Sequence, residues 1–190
     1  MTRQALDRSL PVDMATEPIM AWRAWALSGR RDGSNLLLRP VVGRGRPWFP
    51  GRPAEAACKM LGPFHEAPHL GCTCGLHGTH DLGLLRRTRC PAVLGRVALW
   101  GRVIEHELGF RARYGYPQRL RLICQFCFWQ GVHAVQPSMV GWFPRGELLP
   151  MCEEHAEMAG RYGMRPQASL AMDAIDQRLR ARYAVDPLPI

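Results

Sequence analysis

Val97-Ala-Leu-Trp-Gly-Arg-Val-Ile-Glu-His106, then Glu107-Leu-Gly109, then Phe110-Arg-Ala-Arg-Tyr-Gly-Tyr116 reads as two strands joined by a turn. Alternation places Val97, Leu99 and Val103 on one face with Gly101, and Trp100, Arg102, Ile104 and His106 on the other. The returning strand carries Phe110, Ala112, Tyr114 and Tyr116 on one side and Arg111 and Arg113 on the other. Pro117 has no backbone N–H to give a ladder, so the hairpin is expected to end there. Glycine inside a strand marks a bulge or a close backbone approach, and Gly101 therefore predicts a strongly curved antiparallel sheet or a small barrel.

Working outward, Met20–Leu27 and Asn35–Val42 flank the turn-rich segment Ser28-Gly-Arg-Arg-Asp-Gly-Ser34 and read as a second hairpin. Residues 43–53 read as an irregular connection, and 1–18 as a flexible N-terminus. Residues 19–123 thus form a β-rich part. At the other end, Pro166 or Ser169 opens a helix on which Leu170, Ile175 and Leu179 would dock. Asp173 and Asp176 would face Arg180 on its exposed side. Residues 166–190 are read as this docking helix and its tail.

Seven cysteines and seven histidines in a chain with no secretory h-region call for a metal reading before a disulfide one. Cys124-Gln-Phe-Cys127 is followed, 24 residues later, by Cys152-Glu-Glu-His155. A tight knuckle lets a C-x2-C pair place two thiolates on one ion. Between the pairs, Val132–Val135 and Met139–Phe143 read as strands about the turn Gln136-Pro-Ser138. The acids after Cys152 suit the first turn of a helix. Knuckle, hairpin and ligand-bearing helix over residues 124–165 make a treble-clef-like module with Cys124, Cys127, Cys152 and His155 on one Zn²⁺. A second, weaker constellation joins Cys58, Cys72 and Cys74 with His65 or His69, in a loop rich in Gly and Pro. Two zinc ions per chain are expected. Three thiolates make a zinc a poor Lewis acid, so neither constellation is read as catalytic. Cys90 reads as a small core residue.

The formal charge is +9. Only Lys59 among the 25 bases is lysine, a bias that GC-rich coding produces without any nucleic-acid partner. Position says more: residues 1–123 hold 19 bases against 9 acids, and 124–190 hold 6 against 7. Two anionic Cys3His zinc centres would lower the total to +7, still enough to attract a polyanion. Arg102, Arg111 and Arg113, interleaved with Trp100, Tyr114 and Tyr116, could form a stacking and phosphate-binding face. The plainer reading has the aromatics in the core and the arginines covering it. Glu105, His106 and Glu107 read as a solvated hairpin rim. No run approaches the roughly 18 apolar residues of a membrane span, and the chain reads as cytoplasmic. The common nucleotide-binding, hydrolase and metalloprotease motifs are absent.

His65-Glu-Ala-Pro68 with Cys72-Thr-Cys-Gly75, Ala98-Leu-Trp-Gly-Arg-Val103, Gly109-Phe-Arg-Ala112 and Tyr116-Pro117 resembles a functionally uncharacterised family of actinobacterial and other GC-rich bacterial proteins. The resemblance runs from about Trp22 to Pro117 and implies His65 rather than His69 as the fourth ligand. It implies no activity. The fold expected is therefore α+β: a hairpin-rich N-terminal part with a zinc loop, a treble-clef-like module, and a C-terminal helix. The function expected is a non-enzymatic zinc-binding protein that contacts nucleic acid. A protein–protein adaptor docking through the treble clef and the C-terminal helix is the alternative, and a zinc enzyme comes third.

Overall fold

The computed structural model describes residues 11–41, 45–58, 65–132 and 135–189, with backbone only for 11–16. The fold is α+β and strand-rich. In chain order the elements are β1 (Pro11–Ser28), β2 (Leu37–Pro40), β3 (Ala54–Glu55), β4 (Leu76–Thr79), a 3-10 helix (Leu82–Arg87), β5 (Val93–His106) and β6 (Gly109–Leu122). Then follow α1 (Gln125–Trp129), β7 (Met139–Trp142), β8 (Glu147–Met151), α2 (Glu153–Arg161), β9 (Ala168–Ala171), α3 (Met172–Tyr183) and β10 (Asp186–Pro187).

The β5–β6 hairpin is present and longer than expected. Its loop is the two residues Glu107 and Leu108, because His106 already pairs with Gly109. Gly109 belongs to the strand and has to be glycine: at φ +147° an added Cβ would lie 2.1 Å from the Gly78 carbonyl oxygen. Gly101 (φ +77°) makes the expected bulge. Trp100 pairs with Tyr114 and Val103 with Ala112, so two residues of β5 stand opposite one of β6. Pro117 does not end the strand. A second register shift between Arg96 and Val97 places it beside a bulge, and the ladder runs on to Leu122. Nor is the outer face uniformly exposed, since Ile104 and Arg111 are both buried.

β1 pairs with β5, β5 with β6, β6 with β4, and β4 returns to β1 through Trp22 opposite Thr79. The sheet therefore closes into a small ring. Gly78 permits the closure, because a Cβ there would meet that of Ala21 at 2.5 Å. Ala21, Val97, Leu99 and Val103 are fully buried around it, and Trp25, Leu38, Trp48, Leu148, Ile175 and Leu179 continue the same core. Each such aliphatic or aromatic side chain contributes roughly 1.5–3 kcal/mol.

The β1–β2 hairpin lies where the sequence placed it, with Leu27 opposite Leu38; Val42 of the expected second strand is outside the described residues. β1 itself starts at Pro11, and pairs of Val12 with Val103 and Ala15 with Gly101 reach into the stretch read as a flexible N-terminus. In the C-terminal part the hairpin is β7–β8, closed by Gly146 (φ +77°), not 132–135 with 139–143. Val132 and Val135 are outside any strand, and His133 and Ala134 are outside the described residues. Residues 168–171, expected in the last helix, form β9 against β7. α3 runs from Met172 to Tyr183, and the left-handed φ of 50° at its C-cap Ala184 stops it short of Pro187. Ile175, Leu179 and Tyr183 dock on the sheet of the same chain.

Gly109→Ala should lower stability in denaturant unfolding by about 2 kcal/mol or more, combining backbone strain with overlap on the Gly78 carbonyl. Gly51→Ala, also at positive φ but with nothing within 4 Å of its Cβ, should cost only about 1 kcal/mol.

Candidate metal centres

Two groups of four side chains have ligand atoms that all lie within 4.8 Å of one another: Cys124, Cys127, Cys152 and His155, and Cys58, His65, Cys72 and Cys74. Each could hold a metal ion. A tetrahedral zinc with bonds of about 2.3 Å to sulfur and 2.0 Å to nitrogen sets its ligands about 3.8 Å (S to S) and 3.5 Å (S to N) apart. The first centre shows 3.6 Å from Cys127 Sγ to Cys152 Sγ and 3.4 Å from Cys127 Sγ to His155 Nδ1. In the second, Cys58 Sγ and Cys72 Sγ are 3.8 Å apart, and His65 Nε2 lies 3.3 Å from Cys74 Sγ. These spacings suit one ion and are far beyond the roughly 2.05 Å of a disulfide.

The first centre is built by two helix starts. Cys152 is the N-cap of α2 and His155 lies in its first turn, three residues on and therefore on the same side. Cys124 caps α1 and Cys127 lies within it, so the first pair sits on a short helix and not on the expected knuckle. The free N–H groups of the α2 terminus favour negative charge on the sulfurs. Phe126 stacks on the His155 ring at 5.2 Å. All four ligands are buried, none more than 7% exposed. Burial, followed by the neighbouring Cys152 and Cys124, pushes the Cys127 thiol up to about 12. Without an ion the Cys127 sulfur keeps its proton at neutral pH.

The second centre is half-buried. Cys58 follows β3, which pairs with β6, while Cys72 and Cys74 sit on the loop leading into β4. Burial and Cys72 raise the Cys74 thiol to about 11. His65, not His69, completes the set. His69 Nδ1 accepts the Gly71 N–H at 3.1 Å, and its ring packs on His65. The remaining histidines nearby are engaged elsewhere: His77 Nε2 is 3.0 Å from the Thr73 carbonyl, and His80 faces Glu105 at 3.5 Å.

Arg111 is the residue that sequence reading placed on the wrong task. Only 8% exposed, it donates from Nη1 to the carbonyls of His69 (3.2 Å), Cys74 (3.4 Å) and Cys72. A buried guanidinium needs a countercharge. An ion held by three thiolates and an imidazole is a net anion, and two of the three carbonyls belong to its ligands. Arg113 is engaged too, with Glu66 at 3.1 Å and Glu55 at 3.4 Å, while Arg102 is exposed on the neighbouring strand β5. Arg102, Arg111 and Arg113 therefore do not share one free surface. The available signal was a register one: Arg111 pairs with His77, just after the Cys-x-Cys loop.

Cys90 is exposed and outside both clusters. Glu105 and Glu107 are exposed at the hairpin rim, as expected. Among the described residues no helix is long and apolar enough to cross a membrane. No protein-family model, curated protein or solved structure matches the chain.

Cys127→Ser should remove one metal equivalent and raise amide exchange in α1 and α2, leaving β5 and β6 protected. Elemental analysis with exchange mass spectrometry reads both. Because raised thiols must lose protons to bind, apparent metal affinity should climb with pH and the ions should leave on acidification, followed by a chromogenic chelator from pH 8 down to 4.

Arg111→Met should weaken the second centre by roughly 10–100-fold and leave the first unchanged. Competition with a calibrated chelator would detect it, and equal loss at both centres would show that Arg111 serves the fold alone.

Proposed function

We propose that the chain is a non-enzymatic protein with two structural zinc ions, and that its partner is nucleic acid. The observation that carries the first half is the pair of closed Cys3His sets. Four protein ligands leave no position for water or substrate, and thiolate with imidazole selects zinc over the hard cations.

The second half is supported by charge and by one patch. Arg86, Arg87 and Arg89 are exposed in and just after the 3-10 helix. The Arg86 guanidinium lies against Gly131 at the end of α1, and Trp129 of α1, 41% exposed, donates from Nε1 to the Thr88 carbonyl at 2.9 Å. Cations and an aromatic face held together in this way suit a single strand, with phosphates on the arginines and a base on the indole. Residues 1–123 supply the excess charge.

A protein partner is the second reading. Met158, Tyr162 and Met164 are exposed on and after α2, Tyr162 by 82%. α3 is no part of that surface, since its apolar residues are buried against the chain's own sheet.

Zinc-loaded protein should bind random single-stranded DNA at low salt, measured by fluorescence anisotropy. Replacing Arg86, Arg87 and Arg89 together by Ala should lower the slope of log affinity against log salt by about 2, at about 0.7 per lost phosphate contact. Absence of binding at low salt with both ions in place would overturn the nucleic-acid reading.

A further inference from the structure

The two centres share one ligand set and differ in access. At the first, Cys124, Cys127, Cys152 and His155 are 1%, 6%, 7% and 4% exposed. At the second every ligand is half-buried, and a cleft of about 330 Å³ opens directly on it, lined by Cys58, His65, Ala56, Ala57, Glu66 and Arg113. The cleft can admit a molecule of a few heavy atoms as far as a ligand sulfur. Metal-bound thiolates remain nucleophiles, and their reactivity toward oxidants follows access.

Resting on the zinc reading above, we propose that the second centre is an oxidation-sensitive zinc site, where a hydroperoxide converts Cys58 and Cys72 to a disulfide and releases the ion. Cys58 faces the cleft, so its thiolate attacks a peroxide oxygen. The O–O bond breaks, its electron pair leaves with hydroxide, and Cys58 becomes a sulfenic acid. The Cys72 thiolate then attacks the Cys58 sulfur and expels a second hydroxide as the S–S bond forms. The two sulfurs lose two electrons, the peroxide gains two, and two solvent protons turn both hydroxides into water. Cys58 and Cys72 are the favoured pair because their sulfurs are 3.8 Å apart and belong to different segments. A Cys72–Cys74 bond would close a strained ring over a single intervening residue. Cys74 and His65 then remain, too few ligands to retain the zinc. The first centre has a pair equally close, Cys127 and Cys152 at 3.6 Å, but burial shields it. It therefore serves as an internal control in the same molecule.

The experiment counts zinc in the full chain as purified, then adds hydrogen peroxide in small excess. A chromogenic chelator follows release, and peptide mapping assigns the disulfide. The expected result is loss of one of two zinc ions, about tenfold faster than the other, with a Cys58–Cys72 disulfide and unmodified Cys124, Cys127 and Cys152. Thiol reductant with added zinc should then restore two ions. Fewer than two zinc before oxidant overturns the zinc reading and this proposal with it. Two zinc ions present at the start but released together, retained, or lost with a disulfide elsewhere overturn this proposal alone.

Discussion

One strand connects everything that matters in this molecule. Trp25 of β1 pairs with Val93 of β5 and with Pro40 of β2, so β5 and β2 lie on opposite edges of β1. Leu27 likewise pairs with Leu38 of β2 and Leu148 of β8. Along one edge β1 therefore carries β5 and then β8, and along the other β4 and then β2. The ring that bears the Cys-x-Cys loop and the hairpin between the Cys124 and Cys152 pairs are extensions of the same ladder. A boundary at residue 123, natural on composition, falls inside a continuous sheet. Val140, Leu148 and Ile175 from beyond it share a core with Trp25 and Leu99.

That continuity sets the electrostatics. β6 runs past the Cys-x-Cys loop, and its register fixes which side chain meets it. Arg111 arrives opposite His77, and its Nη1 donates to loop carbonyls. Burying a cation is costly without a countercharge, which a metal-loaded thiolate centre would supply. Arg113, two residues on, faces Glu55 and Glu66. The formal excess of +9 thus overstates what Arg111 and Arg113 present to solvent along β6, while Arg86, Arg87 and Arg89 are exposed in and just after the 3-10 helix.

Local chemistry made some of this readable in advance, and long-range pairing hid the rest. The eight side chains of the two clusters were legible because metal spacing is a short-range signal, and choosing His65 over His69 took the resemblance, not the spacing. The β5–β6 hairpin and its Gly101 bulge were legible because alternation and one glycine suffice. Pro117 misled because it was read as a stop, whereas the bulge beside it accommodates it. β9 was read as helix because Leu170 lies four residues before Ala174 in the 3–4 pattern that Ile175, Arg178 and Leu179 continue, and only its pairing with β7 decides otherwise. Arg111 could not be placed from its own strand, since nothing in alternation shows that the facing loop needs a donor.

The three apolar clusters differ in how much apolar surface they hold. The largest joins twenty buried residues, including Trp25, Leu99 and Tyr183, and a second gathers around Phe128 and Ile123. The third consists of Cys124, Cys127 and Cys152 with Phe126 packed beside them. It contains no aliphatic side chain. The ends of α1 and α2 that meet there have too little apolar surface to hold each other. Both helices are short, five and nine residues, and isolated helices of that length are unstable in water. An ion held by these four buried side chains would supply the cohesion that leucine and valine supply elsewhere in the chain. The same reasoning distinguishes the second centre. Its loop is already tied to β6 by the β4 ladder, so an ion there would add to a framework with backbone pairing of its own, and that site stays half-buried.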